Sequence, residues 1–463
     1  MVKESQYLIL SFCLFNEVDL VRMSNMDELM KRVTASYLKI GQPVKLVLGL
    51  SGGADSVALA LLLLELRKQF PVSLACVHVH HGLRDNADLD AAFVRAFCEE
   101  HGLPLIVEYV IVSCDGNVEA NARVARYQAF AKAMSNAENE WLVLGHHLDD
   151  QAETMLMRLM VGTGNKGLAS MREVSGHIWR PLLGTRRHDI IQYLTGLGQS
   201  WREDESNEDE RFLRNAIRKR LMPIMTDIFP SSVRNLGRTS VILSDEEVFW
   251  SDYVTNWLQA NACLQAPLYF VMTQPLSSVA VAAQRRILRG LCETADVVLD
   301  FEQTERMRLL LLERPGSSAN LSGGVKAYRG WERLHVVKPD AELLPLGQLQ
   351  ETNQPKAGNR RIECFDGAML AGAQLRYRQP GDRIAPLGLG GTQSLKEYLI
   401  NRKVDRPLRD MWPVLARGPD ILWVVGVGLA QTAAVTGATT KPVTLCYRGR
   451  LPDEIDANSN ESE

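Results

Sequence analysis

The chain has 463 residues, of which 46% are hydrophobic and 23% are charged, a balance typical of an ordinary globular protein with room for about three domains. Its formal charge of −3 means that any nucleic-acid surface must be a local patch. The eight cysteines include no Cys-x-x-Cys pair, which favours a reducing cytosol and argues against a zinc ribbon or a cysteine-held iron–sulfur cluster.

Residues 1–25 are interpreted as an uncertain N-terminal extension. Residues 7–15 are apolar, but they are too few to span a bilayer, no small-residue cleavage site follows, and polar residues come next. We therefore expect no membrane segment, no secretory signal and a cytoplasmic location. Met23 and Met26 are alternative start positions, so it stays open whether residues 1–25 belong to the mature protein.

Strand-like and helix-like patterns alternate from residue 44 onward. Apolar or β-rich runs predict strands at residues 47–50, 72–79, 105–112 and 141–145, and helical patterns lie between them at 57–64, 88–100 and 118–134. Such alternation predicts an α/β fold with a doubly wound parallel sheet covered by helices on both faces. Ligands bind at the carboxyl ends of the strands in such sheets, and polar motifs do follow the first, second and fourth strands.

The most informative segment follows the first strand. It consists of Ser51, Gly52, Gly53, Ala54, Asp55 and Ser56. The glycines permit a tight turn before an apolar helix, and free N–H groups at a helix N-terminus stabilise an anion, so the loop is predicted to hold phosphate. Asp55 fits there only if a cation such as magnesium lies between its carboxylate and the phosphates. The lysine of a Walker loop is missing, which disfavours ordinary phosphoryl transfer, and a plain helix cap is the alternative interpretation.

The segment GHHLDDQAET at residues 145–154 concentrates further polar chemistry. If Asp150 opens the following helix, Asp150 and Glu153 share one helical face, where two carboxylates could hold a magnesium ion or an ammonium group. Acids that merely complement the helix dipole are the alternative. Arg123 and Arg126 lie close to one stripe of the preceding helix, where a solvated salt-bridged face is the competing explanation.

Two stretches of local charge suit a polynucleotide partner. Residues 203–210 are mostly acidic, and five of the ten residues at 211–220 are basic, including Arg214. A second stretch at residues 376–409 has eight basic residues against three acids. Such a stripe fits the phosphates of a polynucleotide, although an ordinary surface helix would look similar.

Taken in order, these motifs resemble those of the tRNA(Ile)-lysidine synthetases, a pyrophosphate-loop family of ATP-using enzymes. The resemblance rests on SGGADS (51–56), HVHHGLR (78–84), EANARVARYQAF (119–130), GHHLDDQAET (145–154), GTGNKGL (162–168), RPLL (180–183), WREDESN (201–207) and LRNAIR (213–218). It is dense over residues 44–230 and looser beyond, where residues 378–383 and 394–399 resemble the C-terminal substrate domain of longer members. The ordered combination is far more specific than any single motif.

The resemblance implies an activity and roles for residues. Members adenylate the wobble cytidine of an isoleucine tRNA with a CAU anticodon and attach free L-lysine, which changes decoding from AUG to AUA and tRNA identity from methionine to isoleucine. ATP would seat its phosphates on residues 51–56, with Asp55 as the magnesium contact. Asp150 and Glu153 would hold or deprotonate the lysine amine. Arg123, Arg126 and Arg214 would stabilise developing negative charge.

The domain organisation follows from composition together with the resemblance. We expect an ATP-binding catalytic domain at 26–230, a helical substrate-recognition domain at 231–344, a polar linker at 345–360, a mixed α/β tRNA-binding domain at 361–450 and a disordered tail at 451–463. Trp250, Trp257, Ile287 and Leu288 are expected core residues of the helical domain. The sequence leaves the oligomeric state open, with a homodimer as one option.

Three other functions share parts of this pattern. A tRNA thiolase would adenylate a base in the same way, but it should carry paired cysteines, and the nearest two here, Cys98 and Cys114, are 16 positions apart. Asparagine synthetase would need a cysteine after the start methionine, where Val2 stands. A non-catalytic nucleotide or RNA binder would have no need of Asp55, Asp150 and Glu153 together, although a degenerate enzyme would retain them.

Overall fold

A computed structural model describes residues 25–42, 44–80, 87–111, 118–134, 139–203, 212–354, 356 and 358–454. The chain divides into two compact units, Met1–Val248 and Phe249–Glu463. Within the described residues, no helix is both long enough and apolar enough to cross a membrane. The predicted N-terminal extension up to residue 24, residues 81–84 of the second-strand motif, most of the acidic run at 204–210 and the tail from residue 455 lie outside the described residues.

The first unit alternates strands and helices along the chain. Its strands are β1 (Lys45–Gly49), β2 (Ser73–His80), β3 (Leu105–Tyr109), β4 (Glu140–Val143), β5 (Val174–Ser175) and β6 (Ile178–Trp179). Its helices are α1 (Asn25–Lys39), α2 (Ala54–Gln69), α3 (Ala87–Glu100), α4 (Val118–Ala133), α5 (Leu148–Val161), α6 (Asn165–Leu168), α7 (Arg187–Leu197), α8 (Leu213–Ala216) and α9 (Met222–Ile228), with a π-helical turn at Ile217–Leu221. Helix α10 (Ser232–Asn261) contains the division between the units.

The strands of the first unit form one sheet in the order β3-β2-β1-β4-β6-β5, and all but β5 are parallel to their neighbours. Strand β1 therefore lies between β2 and β4. Because parallel strands end at the same edge, the segments after β1, β2 and β4 meet there. The predicted strand positions and the parallel arrangement are both confirmed.

Both faces of this sheet are buried, as the near-continuous apolar runs of its strands require. Leu46 and Leu48 pack into the larger core with helices α1, α2, α3 and α7. The intervening Val47 points to the opposite face, where it packs with Phe130 of α4. Helices therefore cover both faces of the sheet, and successive side chains of β1 pack alternately into the core on each face.

The second unit is built mainly from antiparallel strands. Its helices after α10 are α11 (Thr273–Ser278), α12 (Val281–Thr294), α13 (Phe301–Leu309) and α14 (Leu395–Asn401). Its strands are β7 (Ala262–Gln265), β8 (Leu268–Met272), β9 (Ser318–Asn320), β10 (Lys326–Arg329), β11 (Arg333–Val337), β12 (Gln348–Glu351), β13 (Ile362–Asp366), β14 (Gln374–Tyr377), β15 (Arg383–Ile384), β16 (Gln393–Ser394), β17 (Pro413–Arg417), β18 (Asp420–Val424), β19 (Gly428–Leu429) and β20 (Pro442–Arg448).

The segment predicted to be helical, residues 231–344, holds helices and also a five-stranded sheet in the order β7-β8-β11-β10-β9. The purely helical description is therefore wrong for this segment. Ile287 and Leu288 are fully buried in the core beside that sheet, and Trp250 and Trp257 pack against it. The predicted linker at 345–360 also contains a strand, β12, which pairs with β20.

Residues on both sides of that predicted linker share a hydrophobic core. Phe270 of β8 belongs to the same buried cluster as Leu395, Tyr398 and Trp412. The predicted boundary between residues 230 and 231 does not coincide with the division of the compact units, which falls after Val248. The finer partition into a middle and a C-terminal domain stays a prediction.

Candidate active site

The loop between β1 and α2 has a conformation that only glycine adopts easily at its second position. Gly52 has φ +88°, and a Cβ atom there would lie 3.3 Å from side-chain atoms of Phe93 and Val94 on α3. Ser56 Oγ donates to the carbonyl of Gly53 at 2.9 Å and accepts from the Ser51 amide at 3.2 Å. Gly53 caps α2 without a side chain. Hydrogen bonds of Ser51 and Ser56 therefore stabilise the conformation of the loop. The loop leads directly into the amino end of α2, a 16-residue helix.

Asp55 projects from the first turn of α2 into the space after β4. Its Oδ2 atom is 3.6 Å from Nε2 of His147, and its Oδ1 atom is buried and has no hydrogen-bond partner among the described residues. The approach depends on Gly145, because a Cβ there would lie 3.0 Å from the carbonyl oxygen of Asp55. A buried carboxylate oxygen without a donor is unusual, and a cation is one group that satisfies it.

His147 links the phosphate loop to the helix that follows β4. It caps α5: Asp150 N donates to His147 Nδ1 at 3.3 Å, and Asp150 Oδ2 accepts from His147 N at 3.0 Å. Its Nε2 atom therefore faces Asp55 and also lies 3.5 Å from Asp150. Burial disfavours the imidazolium form, but the carboxylates of Asp150, Asp55 and Asp149 outweigh burial and raise the pKa of His147.

Asp150 and Glu153 are buried and are held by two guanidinium groups. Arg214 donates to Asp150 at 2.8 Å and to Glu153 at 2.9 Å. Arg218 donates to both oxygens of Glu153, at 2.7 and 2.9 Å. Burial alone would raise the pKa of Asp150, but His147 and Arg214 overcome that effect and hold its pKa below the ordinary value.

Arg214 and Arg218 come from a stretch of backbone that departs from regular α-helix. Arg214 lies in α8, and Arg218 lies in the π-helical turn that follows it. Such turns are rare and frequently occur at functional sites. About a quarter of each arginine side chain is exposed, whereas Glu153 is 2% exposed, so the guanidinium groups lie between the carboxylates and solvent.

The other two predicted arginines lie on α4 in different environments. Arg123 is exposed and lies over the ring of Tyr127 at 5.3 Å. Burial lowers the pKa of Arg126, and the charges of Arg123 and Arg214 lower it further. Among the described residues, no carboxylate forms an ion pair with Arg126 within 4.0 Å. A half-buried guanidinium for which the described residues supply no carboxylate is suited to an anionic ligand.

His146 and Arg180 extend this cationic side of the site. Burial lowers the pKa of His146 to about 3, and the nearby cations of Arg180, Arg126 and Arg214 add to that shift. His146 Nδ1 and Arg180 Nε are buried without hydrogen-bond partners, while Arg180 Nη2 donates to the hydroxyl of Tyr127 at 3.4 Å. Next to its carboxylates the site therefore has the cations Arg126, Arg180 and Arg214, and polar atoms of His146 and Arg180 that lack hydrogen-bond partners among the described residues.

The structure places all of the sequence-predicted site residues around this edge of the sheet. It brings Asp55, Asp150, Glu153 and Arg214 into one connected cluster, with Arg126 beside it and Arg123 at its exposed margin. Sequence reasoning missed His147 and Arg218 as members of the cluster. The sequence pattern could have identified both residues. His147 is at the helix cap, three positions before Asp150, and Arg218 follows Arg214 by one helical turn.

Comparisons with known proteins identify the family. Residues 24–225 match the model of the PP-loop domain, and residues 373–444 match that of the TilS substrate C-terminal domain. The tRNA(Ile)-lysidine synthase of Geobacter sulfurreducens is 31% identical over 473 residues, which cover 92% of this chain and 99% of the relative. The chain belongs to the tRNA(Ile)-lysidine synthase family.

Two further members of the family show the same extended similarity. The tRNA(Ile)-lysidine synthase of Thermus thermophilus is 34% identical over 401 residues, which cover 84% of this chain and 70% of the relative. The tRNA(Ile)-lysidine synthase of Caldanaerobacter subterraneus is 28% identical over 462 residues, which cover 91% of this chain and 97% of the relative. The PP-loop match coincides with the parallel sheet and the loop after β1, so the fold class predicted from the sequence is confirmed.

Proposed function

We propose that the protein is the ATP-dependent ligase that forms lysidine on tRNA(Ile). It adenylates the wobble cytidine of the CAU anticodon and attaches free L-lysine, which changes decoding from AUG to AUA and identity from methionine to isoleucine. Membership of the family supports ATP and tRNA(Ile) as substrates. The structural observation that carries the proposal is the link from Asp55 through His147 to Asp150 and Glu153, which joins a phosphate loop to a carboxylate cluster.

In the first step the loop and its neighbouring cations act on ATP. The 2-carbonyl oxygen of cytidine attacks the α phosphorus, the bond to the β phosphate breaks, and pyrophosphate leaves. The amides at the start of α2 would hold the departing phosphates, where the helix dipole favours negative charge. Arg126 is half-buried and has no carboxylate partner among the described residues, and we assign to it the stabilisation of charge that develops at the reacting phosphate.

Asp55 fits the role of a magnesium contact. Its buried Oδ1 atom lacks a hydrogen-bond partner, and carboxylate oxygen is the ligand that magnesium prefers. Among the described residues, no cluster of three or more His, Cys, Asp or Glu side chains could hold a metal by itself. When bound, magnesium would neutralise phosphate charge.

In the second step the lysine amine must lose a proton before it attacks C2 of the adenylated base and displaces AMP. An amine with an ordinary pKa of about 10.4 arrives protonated at neutral pH. Asp150 and Glu153 would receive that ammonium group. Because Arg214 and Arg218 already donate to both carboxylates, the ammonium has to displace at least one guanidinium hydrogen bond to reach them.

The basic stretch at residues 376–409 supplies candidate contacts to tRNA phosphates, but fewer than its composition indicates. Arg376, Arg378 and Arg383 are each bound by a carboxylate, those of Asp382, Asp410 and Asp420 respectively. Four other cations are exposed, and none of them pairs with a carboxylate of the described residues within 4.0 Å: Lys396, Arg402, Lys403 and Arg406. We assign phosphate binding to these four.

The proposed function is tested by incubating the purified protein with ATP, labelled lysine and tRNA(Ile) transcripts. Label should enter a transcript with a CAU anticodon and should not enter one with uridine at the wobble position. Pyrophosphate release should depend on the same cytidine. A folded protein that labels neither transcript would contradict the proposal.

A further inference from the structure

The hairpin of β10 and β11 is fixed to the basic segment that follows α14. Trp331 N, at the tip of the hairpin, donates to Asp405 Oδ1 at 2.7 Å, and His335 Nε2 lies 2.8 Å from Asp405 Oδ2. Gly330 has no room for a side chain, because a Cβ there would be 2.3 Å from Asp405 Oδ2. Two segments about 70 residues apart in sequence therefore form one surface.

This surface pairs aromatic rings with exposed cations. Arg406 lies over the ring of Tyr328 at 5.3 Å, and Lys403 lies over the ring of Trp331 at 5.4 Å. Trp331 is 41% exposed, and neither cation pairs with a carboxylate of the described residues. An exposed indole beside two uncompensated positive charges is a combination suited to a ligand with both a flat ring and a negative charge.

A similar pair elsewhere in the second unit shows what an ordinary surface contact looks like. Arg285 lies over the ring of Phe301 at 5.5 Å, and Phe301 is 60% exposed. There the cation is neutralised, since Arg285 donates to Glu305 at 2.6 Å. No described residue supplies such a carboxylate to Lys403 beside Trp331, which leaves its charge available to a partner.

The backbone at Lys403 adds an independent observation. Lys403 has φ +59°, in the left-handed region that glycine or asparagine usually occupies after a helix. Its amide donates to the carbonyl of Ile400, and the next amide, that of Val404, donates to Leu399, as in a standard helix end. Because glycine adopts this conformation without strain, Lys403→Gly should remove the side chain and leave the turn intact.

We propose that Tyr328, Trp331, Lys403 and Arg406 bind an unpaired nucleotide stretch of the substrate tRNA, with a base stacked on Trp331 and adjacent phosphates held by Lys403 and Arg406. The inference rests on the proposed function for its partner. Stacking on an aromatic side chain suits single-stranded RNA because every base has a flat face, whereas bases in a duplex are already stacked. The phosphate contacts add affinity that falls as salt concentration rises.

The test measures tRNA binding by the full-length protein over a range of salt concentrations. Trp331→Ala should weaken binding by about tenfold with an unchanged salt dependence, and Trp331→Phe should retain most of the affinity. Lys403→Gly, which relieves the left-handed backbone, and Arg406→Gln should each reduce the slope of log affinity against log salt by about 0.7. Phe301→Ala is the matched control and should bind as the unaltered protein does.

The source of the affinity is tested with a blunt RNA duplex that has no unpaired nucleotides. The unaltered protein and Trp331→Ala should bind this duplex equally. The inference is overturned if Trp331→Ala binds tRNA normally, if it loses affinity for the duplex as well, or if Phe301→Ala loses as much. These results would leave lysidine formation by the unaltered protein intact, whereas failure of that protein to bind tRNA would overturn the proposed function together with the inference.

Discussion

At the scale of single residues, Arg218 controls how the buried Glu153 is satisfied. It supplies two of the three guanidinium hydrogen bonds that Glu153 accepts. Arg218→Gln should lower the stability of the first unit by about 1–3 kcal/mol, because a buried carboxylate loses charged donors. The same change should lower the KM for lysine, since one competing cation is gone. Lysine-dependent thermal shifts and steady-state kinetics measure both effects.

Arg186→Gln is the matched control for that prediction. Arg186 donates to Asp149 at 3.2 Å. Asp149 lies on the same helix, α5, as Asp150 and Glu153, but it is not one of the two carboxylates that we propose receive lysine. This variant should lose stability without a change in the KM for lysine. If both variants left the KM unchanged, displacement of a guanidinium by lysine would have to be abandoned.

Asp55 offers a second test at the same scale. Asp55→Asn keeps the size of the side chain but removes its charge, so we expect lysidine formation to fall by about a hundredfold or more, a loss typical of removing a group that stabilises developing charge. Affinity for tRNA should stay within about twofold, because the change is confined to the phosphate loop. Filter binding and a magnesium titration of activity check both expectations, and an unchanged magnesium requirement would argue against Asp55 as the metal contact.

At the scale of elements, the turn between β1 and α2 depends on glycine at one of its two positions. Gly52→Ala should cost about 1–2 kcal/mol of unfolding free energy, because alanine is strained at φ +88° and its Cβ would crowd α3. Gly53, with φ −73°, is the neighbouring control. Gly53→Ala should cost less than Gly52→Ala, because its only expected penalty is that alanine is a poorer N-cap than glycine. An equal loss for the two variants in thermal unfolding would show that the positive φ at Gly52 is not the cause.

The joint between the β10–β11 hairpin and the segment after α14 should depend on pH. Burial would raise the pKa of Asp405, but His335, the Trp331 amide and Arg333 outweigh burial and lower it. A carboxylate whose pKa is lowered by folding stabilises the protein above its ordinary pKa of about 3.9, and this contribution is lost as pH falls through the folded-state value. Asp405→Asn should therefore cost about 3 kcal/mol near pH 7.

The difference in stability between Asp405→Asn and the unaltered protein should shrink as pH falls below about 4, where Asp405 of the unfolded chain begins to take up a proton while the folded protein still keeps its carboxylate charged. Thermal unfolding of both proteins between pH 3 and 7, buffered in steps, measures the difference. A difference that stays constant across this range would show that the carboxylate charge does not hold the joint.

Elements with local signals were predictable from the sequence, and those that depend on distant partners were not. The glycine turn, the strands of the parallel sheet and the carboxylates after β4 follow from short-range patterns. Strands β7 and β8 were missed because each is only four or five residues long. Strand β8 is stabilised by pairing with β11, about 65 residues away, and β7 in turn pairs with β8. The approach of Asp55 to His147 likewise requires β1 and β4 to be neighbours in the sheet, and no short-range sequence pattern predicts that pairing.

At the scale of the whole molecule, the second unit should not tolerate removal of its C-terminal part. Phe270 of β8 is fully buried against residues that include Leu395 and Trp412. A chain that ends at Glu351 would lose these partners, at a cost of about 1.5–3 kcal/mol for each large side chain left exposed. It would also lose β20, to which β12 is paired. We expect residues 262–337 of such a chain to exchange amide hydrogens rapidly.

Hydrogen exchange of residues 262–337 in the full chain, in the chain ending at Glu351 and in a control ending at Glu454 measures this dependence. The control removes only residues beyond the described part and should be protected like the full chain. Equal protection in all three would show that the middle segment folds independently, as the predicted boundary near residue 344 implies. If protection is lost only in the shorter chain, its weaker tRNA binding would reflect an unfolded core, and point variants such as Lys403→Gly and Arg406→Gln become the means of locating the RNA contacts.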